Sequence, residues 1–154
     1  MIRRAEEKDI DYINGLLYQV LQVHHDGRPD IFKANAKKYT DEQLKELISN
    51  DNSPIFVFED GGFVKGYVFC AIQETKNHNI LTDKKTLYID DLCVDESCRG
   101  QKIGQKLYQF AENFAKEIGC YNLTLNVWSC NQSAYKFYEK QGLMPQKTNM
   151  EKIL

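Results

Sequence analysis

The stretch from Leu87 to Gly104 most constrains what this chain can fold into, because it joins a strand to a helix through a glycine-containing loop. Residues 87–94 are mainly aliphatic, aromatic and β-branched, which predicts a strand. The residues after the loop recur at helical spacing and predict one apolar face of a long helix. That face comprises Ile103, Leu107, Phe110, Ala111, Phe114, Ala115 and Ile118.

The loop between the two elements reads Arg99-Gly-Gln-Lys-Ile-Gly104. A helix N-terminus has unpaired N–H groups and the positive end of a dipole, so it attracts phosphate, and the two glycines leave room for a ligand. An ordinary strand-to-helix turn is the alternative interpretation. The sequence is neither Gly-x-Gly-x-x-Gly nor Gly-x-x-x-x-Gly-Lys-Ser/Thr, which argues against a dinucleotide fold and a P-loop nucleotidase.

Length and composition narrow the class of protein. At 154 residues we expect a single domain over residues 1–154, and a content of 42% hydrophobic and 12% aromatic residues is typical of a soluble globular protein. The net charge of -2 gives no basic surface for nucleic acid. Neither a membrane span nor a signal peptide is recognisable. The five cysteines include no Cys-x-x-Cys pair, so we expect reduced thiols, no metal site and a cytoplasmic location.

The N-terminal half is predicted to contain a short strand at residues 2–4 and a helix over residues 7–23. A turn over residues 24–29 follows, and its adjacent histidines, His24 and His25, are expected to be surface or packing residues that border a substrate site. Thr40-Asp-Glu-Gln43 fits a capping box and predicts a second helix over residues 41–49. Strands are then expected at residues 55–59 and 63–73, joined by Asp60-Gly-Gly62, with a bulge near Gly66.

The C-terminal half is predicted to contain the long helix ending near Gly119, a strand over residues 122–127 and a helix that Asn131 caps and Gly142 ends. A last strand is expected at residues 148–154. The two strands around the long helix should be parallel, whereas the earlier strands should pair antiparallel. The expected fold is therefore α/β (α+β): one mixed, mostly antiparallel sheet flanked by about four helices, with ligands binding beyond residues 94 and 127.

Three blocks of sequence in this order resemble the GNAT (GCN5-related N-acetyltransferase) family. Asp90-Asp-Leu-Cys-Val94 is similar to the central strand of that family, and Arg99–Gly104 is similar to its pyrophosphate loop Arg/Gln-x-x-Gly-x-Gly/Ala. Asn131-Gln-Ser-Ala-Tyr-Lys-Phe-Tyr-Glu-Lys-Gln-Gly142 is similar to the family block Asn-x-x-Ala-x-x-Phe-Tyr-x-x-x-Gly. One position departs from the pattern, because Lys102 stands where the loop has its first glycine.

The resemblance implies a sheet whose central strand pair splays apart to admit coenzyme A, and a transfer of acetyl from acetyl-CoA to an amine without a covalent enzyme intermediate. Main-chain groups of Leu92, Cys93 and Val94 would bind the pantetheine arm and the acetyl carbonyl, Asn131 would contact the arm, and Tyr138 would face the thioester sulfur. The pyrophosphate would be bound by the loop residues Arg99, Gly100, Gln101, Lys102, Ile103 and Gly104.

The chemistry itself requires a base and benefits from an acid. An alkylammonium with a pKa of about 10 becomes a nucleophile only after it loses a proton, and a carboxylate can take it directly or through water. Asp90 and Asp91 are the candidates, and a regular strand would turn only one of them toward the substrate. We favour Asp90, because amine-acetylating members of the family often carry an acid there. Tyr138 is the candidate acid for the departing thiolate.

The acceptor is less constrained than the reaction. The acidic strand is similar, more weakly, to spermidine/spermine acetyltransferases, which favours a small amine or polyamine. A protein or peptide N-terminus or lysine is the alternative. An alternative of another class is a non-catalytic coenzyme A-binding module, although such a module needs neither Asp90 nor Tyr138. A homodimer is a further possibility that the family suggests.

Overall fold

One five-stranded sheet forms the centre of the protein. The computed structural model describes residues 1–154, and the strands are β1 (Ile2–Arg4), β2 (Ile55–Asp60), β3 (Phe63–Thr75), β4 (Lys84–Val94) and β5 (Asn122–Leu125). They lie in the order β1-β2-β3-β4-β5, with antiparallel pairing as far as β4 and parallel pairing between β4 and β5. The mixed, mostly antiparallel sheet predicted from the sequence is confirmed.

Four helices cover the two faces of this sheet: α1 (Ile10–Gly27), α2 (Asp41–Ser49), α3 (Ile103–Glu117) and α4 (Gln132–Lys140). Single 3-10 turns at Glu7–Asp9 and Glu96–Cys98 precede α1 and α3. Helices α1 and α2 pack on one face around Leu17, Leu44 and Tyr67, and α3 and α4 pack on the other around Val68 and Leu107. None of the helices combines the length and apolar character that crossing a membrane requires.

Local sequence signals place several helix ends where they were predicted. Thr40 and Gln43 form the expected capping box of α2. Gly119 and Gly142 follow α3 and α4 in the left-handed region, with φ of 80° and 94°. Helix α1 is longer than predicted, because residues 24–27 continue the helix and His24 and His25 belong to its last turn.

The last strand predicted from the sequence is wrong. Residues 148–154 form no strand, and their apolar side chains lie on the surface, with Met150 exposed to 86% and Ile153 to 73%. A short segment with apolar residues forms a strand only when one face of that strand is buried, and this segment buries neither face. The segment contacts the rest of the chain through an ion pair between Glu151 and Arg28.

Two irregularities in the sheet shape the region beyond the strand ends. The register between β2 and β3 shifts beside Gly66, as predicted, because Phe58 pairs with Gly66 and Glu59 with Val64. A second bulge was not predicted: Cys70 pairs with Ile89 but Phe69 pairs with Asp91, which leaves Asp90 as the extra residue on β4. A bulge re-aims the side chains on either side of it.

Candidate active site

The strands β4 and β5 separate where the sequence predicts a ligand. Their pairing runs from Thr86 opposite Asn122 to Ile89 opposite Leu125 and ends there, while β4 continues to Val94. Residues 90–94 therefore keep a main-chain edge that β5 does not cover, and the splayed strand pair is confirmed. The side chains of Leu92 and Val94 pack toward α3, and Cys93 is buried on the face of α1. These three residues can offer a ligand only their main-chain groups.

The loop before α3 presents a continuous row of free N–H groups. No amide nitrogen from Arg99 to Gln105 donates a hydrogen bond within the chain, and the first amide that does so is that of Lys106, to the carbonyl of Lys102. The loop lies at the positive end of the dipole of a helix of 15 residues. This combination of free donors and dipole binds anions such as a diphosphate.

The backbone of this loop is shaped by two left-handed residues. Gly100 has φ of 81°, which glycine adopts without steric cost, and Lys102 has φ of 62°. A lysine in this region is unfavourable by roughly 1–2 kcal/mol. The glycine that the family pattern has at this position would carry no such cost. Ile103 is buried among the core residues of α3, so its amide, not its side chain, faces the loop.

Gln19 on α1, which the sequence analysis missed, forms hydrogen bonds to the residues just before the loop. The side-chain amide of Gln19 donates to Asp95 at 3.2 Å, and its oxygen accepts from the amide of Glu96 at 3.1 Å. Asp95 also caps the following 3-10 turn by accepting from the amide of Ser97 at 2.9 Å. Gln19 lies at a polar position of an amphipathic helix, so no local signal marks it.

The bulge on β4 brings both candidate carboxylates to the face of α1 and α2. Asp91 accepts from the hydroxyl of Tyr67 at 2.6 Å, and Asp90 accepts from the hydroxyl of Tyr39. The two tyrosines are joined through Phe69, whose ring centroid lies 5.6 Å from that of Tyr39 and 4.7 Å from that of Tyr67. The expectation that one carboxylate points to each face applies to a regular strand, and β4 is not regular at this point.

The two carboxylates differ in their surroundings. Asp90 forms an ion pair with Lys38 at 3.0 Å. Asp91 has no such cation in contact; burial raises its pKa above the ordinary value of a carboxyl, although the hydrogen bond from Tyr67 partly opposes the shift. Burial also raises the pKa of Tyr67 well above its usual range, so this phenol donates as a neutral group. Asp91 thus binds a proton more readily than an ordinary exposed carboxyl.

Tyr138 extends from α4 toward the opposite side of the gap. Asn131 caps α4 as predicted, by accepting from the amide of Ala134 at 3.1 Å. The Tyr138 ring packs against Phe137 and near Tyr108, with centroids 5.2 and 6.5 Å away. Burial, with a further contribution from the charge of Asp91, raises the pKa of Tyr138 above its ordinary range, and no hydrogen bond within the chain engages its hydroxyl. The phenol remains protonated and free to donate.

Cys93 is not suited to covalent catalysis. Burial raises the pKa of its thiol to about 12, so the nucleophilic thiolate is scarce at neutral pH. Cys130 lies against Gly27 at the end of α1, on the rim of the same region. Nowhere in residues 1–154 do three or more His, Cys, Asp or Glu side chains come together as metal ligands would.

A cavity of about 260 Å³ opens beside Asp90. Its lining is mainly aromatic and aliphatic and includes one carboxylate. The residues are Tyr39, Leu47, Ser53, Phe69, Cys70, Ala71, Gln73, Tyr88 and Asp90. The segment after α1 packs separately: Phe32 stacks on His24 at 5.0 Å and contacts Trp128 edge-on at 4.9 Å.

Comparison with known proteins identifies the family. The profile of the acetyltransferase (GNAT) family matches residues 18–143. This chain belongs to the GNAT family. An uncharacterized N-acetyltransferase of Archaeoglobus fulgidus is 32% identical over 147 residues, which cover 92% of this chain and 91% of that protein. Glucosamine 6-phosphate N-acetyltransferase of Arabidopsis thaliana is 30% identical over an alignment of 99 residues, and the alignment covers 56% of this chain.

A solved structure has nearly the same fold as this chain. The crystal structure of a mutant of the BH1408 protein from Bacillus halodurans has a TM-score of 0.96 and 30% identity, covering 100% of this chain and 99% of that one. The match spans less of some curated relatives: 64% of the length of the Arabidopsis protein and 65% of an uncharacterized N-acetyltransferase of Lactobacillus delbrueckii.

Proposed function

We propose that residues 1–154 form one N-acetyltransferase domain that transfers acetyl from acetyl-CoA to a primary amine by direct attack in a ternary complex. The observation that carries this proposal is the row of unbonded amides from Arg99 to Gln105, at the end of a strand pair that has separated. The first amides of any helix lack a partner within it, but here the unbonded donors begin at Arg99, three residues before the N-cap Lys102, so the loop presents them as well as the helix end.

The residues fit coenzyme A in a specific way. The amides of residues 99–105 would hold the diphosphate, with Arg99 and Lys102 adding positive charge. The uncovered main-chain edge of residues 92–94 would bind the pantetheine arm, and Asn131 would lie beside it. Acetyl-CoA, when bound, supplies an activated acyl group and a thiol leaving group of ordinary acidity.

The reaction requires one protein group that takes a proton from the amine and another that donates a proton to the sulfur. We assign the base to Asp91, because burial raises its pKa toward the working pH and no cation occupies it. Asp90, which already forms an ion pair with the ammonium of Lys38, would bind the cationic acceptor. A main-chain N–H of residues 92–94 would stabilise the oxygen on which negative charge develops. Tyr138 would donate to the departing thiolate.

The acceptor that this site favours is a small cationic amine or polyamine. A cavity of about 260 Å³ is below the usual range of drug-sized sites, its walls are mainly apolar, and its lining includes a carboxylate. An aliphatic amine matches these three properties. A protein N-terminus remains the second candidate among acceptors. Its recognition would involve the aromatic cluster of His24, Phe32 and Trp128.

Thiol release with acetyl-CoA tests the proposal. We expect release that depends on an added amine and saturates with diamines and polyamines at lower concentrations than with peptides. Parallel calorimetric titration with coenzyme A should give one site per chain. Binding of coenzyme A without thiol release across amines and peptides would instead identify a non-catalytic module, and release with peptides alone would favour the second acceptor class.

A further inference from the structure

The ammonium of Lys38 already occupies the position that the candidate site offers to a cationic acceptor. Its Nζ atom lies 3.0 Å from a carboxylate oxygen of Asp90 and 3.2 Å from the carbonyl oxygen of the same residue. It also lies 5.7 Å from the centroid of the Tyr39 ring, within the range of a cation–π contact. Two oxygens and an aromatic face are the partners that a protein gives to a bound primary ammonium.

The charge of Lys38 extends to the residues around the proposed reaction centre. It lowers the pKa of His24, together with the larger effect of burial, and it opposes the rise in the pKa of Asp91. The ammonium therefore lies beside the bulge of β4, and its charge acts on the two carboxylates there and on the last turn of α1.

The adjacent lysine has a different environment and provides a comparison within the same segment. Lys37 donates to Asp41 at 2.7 Å and to Asn14 at 2.8 Å, at the junction between α1 and α2. It contacts neither candidate carboxylate. Lys38 keeps 43% of its side chain exposed and lies in the irregular segment before α2, so its long side chain has freedom to move.

We propose that Lys38 is an internal acceptor, which the protein acetylates in cis when acetyl-CoA is bound and no other amine is present. This inference rests on the proposed function, since it uses the same acetyl donor and the same acid and base. It adds a modification site on the chain itself, at a residue that the reaction of a free amine does not require.

The step balances with the groups already named. The Lys38 ammonium contacts Asp90 and not Asp91, so it passes one proton to Asp91 through a water molecule, and Asp91 releases that proton to solvent. Its nitrogen then forms a bond to the acyl carbon, and the bond from that carbon to sulfur breaks. The departing thiolate takes a proton from Tyr138 or from solvent. The nitrogen then loses its second proton, which replaces the one that the thiolate took. The products are acetyl-lysine, coenzyme A thiol and one proton, and nothing is oxidised or reduced.

The experiment incubates the full chain with acetyl-CoA, without an amine, and follows acetylation of each lysine by peptide mass spectrometry. We expect acetyl on Lys38 to form at a rate that does not change when the protein is diluted. In Tyr138→Phe the rate should fall about 10²-fold, the usual contribution of a positioned acid. Lys38→Arg should abolish the modification, whereas Lys37→Arg, the matched control, should leave it unchanged.

The contrary outcomes are distinct. Acetylation of Lys37 and Lys38 at equal rates, or a rate at Lys38 that Tyr138→Phe leaves unchanged, would indicate non-enzymatic chemistry and overturn the inference. A rate proportional to protein concentration would overturn acetylation in cis. Thiol release with added amines, but no acetyl on Lys38, would overturn the inference and leave the proposed function standing. Failure of both reactions while coenzyme A binds would overturn both.

Discussion

The carboxylate of Asp91 accepts a 2.6 Å hydrogen bond from the hydroxyl of Tyr67, a tyrosine with no exposed surface. A neutral donor offsets only part of the cost of burying a carboxylate, and the pKa of Asp91 is raised as a result. Asp90, one residue earlier, forms an ion pair with Lys38 instead. The bulge at Asp90 thus places two adjacent carboxylates on one face in different surroundings.

Asp91→Asn is expected to lower kcat by about 10²- to 10⁴-fold, because the amide cannot take a proton from the acceptor. In the unmodified protein, kcat/KM should fall on the acid side as Asp91 becomes protonated, at a pH above the ordinary range of a carboxyl. Steady-state kinetics across pH measure both effects. A variant that keeps the activity and its acid limb would exclude Asp91 as the base.

The same variant should change the pH dependence of stability. Because the folded pKa of Asp91 is raised, its contribution to stability is complete below the ordinary carboxyl pKa and is lost as pH rises through the folded pKa. The introduced amide would still accept from Tyr67 but would not ionise, so Asp91→Asn should be at least as stable as the parent at neutral pH. Denaturant unfolding from acid to neutral pH provides the measurement. A clear loss of stability at neutral pH would contradict this account.

Asp90→Asn separates acceptor binding from proton transfer. We expect KM for a diamine to rise about 10-fold, which corresponds to about 1.4 kcal/mol, while kcat changes much less. KM for a neutral or weakly basic amine should barely change, and this amine provides the internal control. A fall in kcat that high pH partly restores would instead identify Asp90 as the base, as the sequence alone suggested.

Tyr138→Phe should reduce kcat by about 10²-fold with little change in the affinity for coenzyme A. Its hydroxyl forms no hydrogen bond within the chain, so the substitution removes a donor to the ligand and leaves the packing of the ring intact. Tyr135→Phe, on an exposed position of the same helix, is the matched control and should have no effect. Equal turnover in the two variants would remove Tyr138 from the mechanism.

Lys102 permits the charge and the backbone of the loop to be tested separately. Lys102→Ala and Lys102→Gly both remove the ammonium and should weaken binding of coenzyme A about 5-fold, if an exposed ion pair contributes about 1 kcal/mol. The glycine variant should be about 1 kcal/mol more stable than the alanine variant, because glycine accepts φ of 62° without strain. Calorimetric titration and urea unfolding test the two effects, and equal stabilities would argue against strain at this residue.

Gly66→Ala tests the close packing at the bulge of β3. A Cβ atom there would lie 3.0 Å from both the carbonyl oxygen of Cys93 and a methyl group of Leu107, so we expect a loss of about 1–3 kcal/mol. Gly15→Ala is the control, since no heavy atom lies within 4 Å of its added methyl and it is within α1. It should stabilise the fold by up to about 1 kcal/mol. Thermal or urea unfolding distinguishes the two.

Sequence reasoning succeeded where the signal is local or strongly periodic. The capping box at Thr40, the apolar face of α3 and the glycines after α3 and α4 each depend on neighbours within a few residues. It failed for residues 148–154, because the residues of a short segment do not show whether a partner strand is present. It also missed Gln19, Lys38, Tyr39 and Tyr67, whose roles arise from contacts with residues more than 20 positions away.

The amino-acid order by itself determined the family, the mixed sheet and the loop before α3, because each depends on short-range spacing that backbone geometry converts directly into structure. Only the tertiary structure decided how the surroundings of the two aspartates differ. The bulge at Asp90 is a property of the pairing between β3 and β4, and the ion pair with Lys38 requires a segment 52 residues away along the chain. Such long-range contacts set burial and charge, which in turn set the chemistry of a carboxylate.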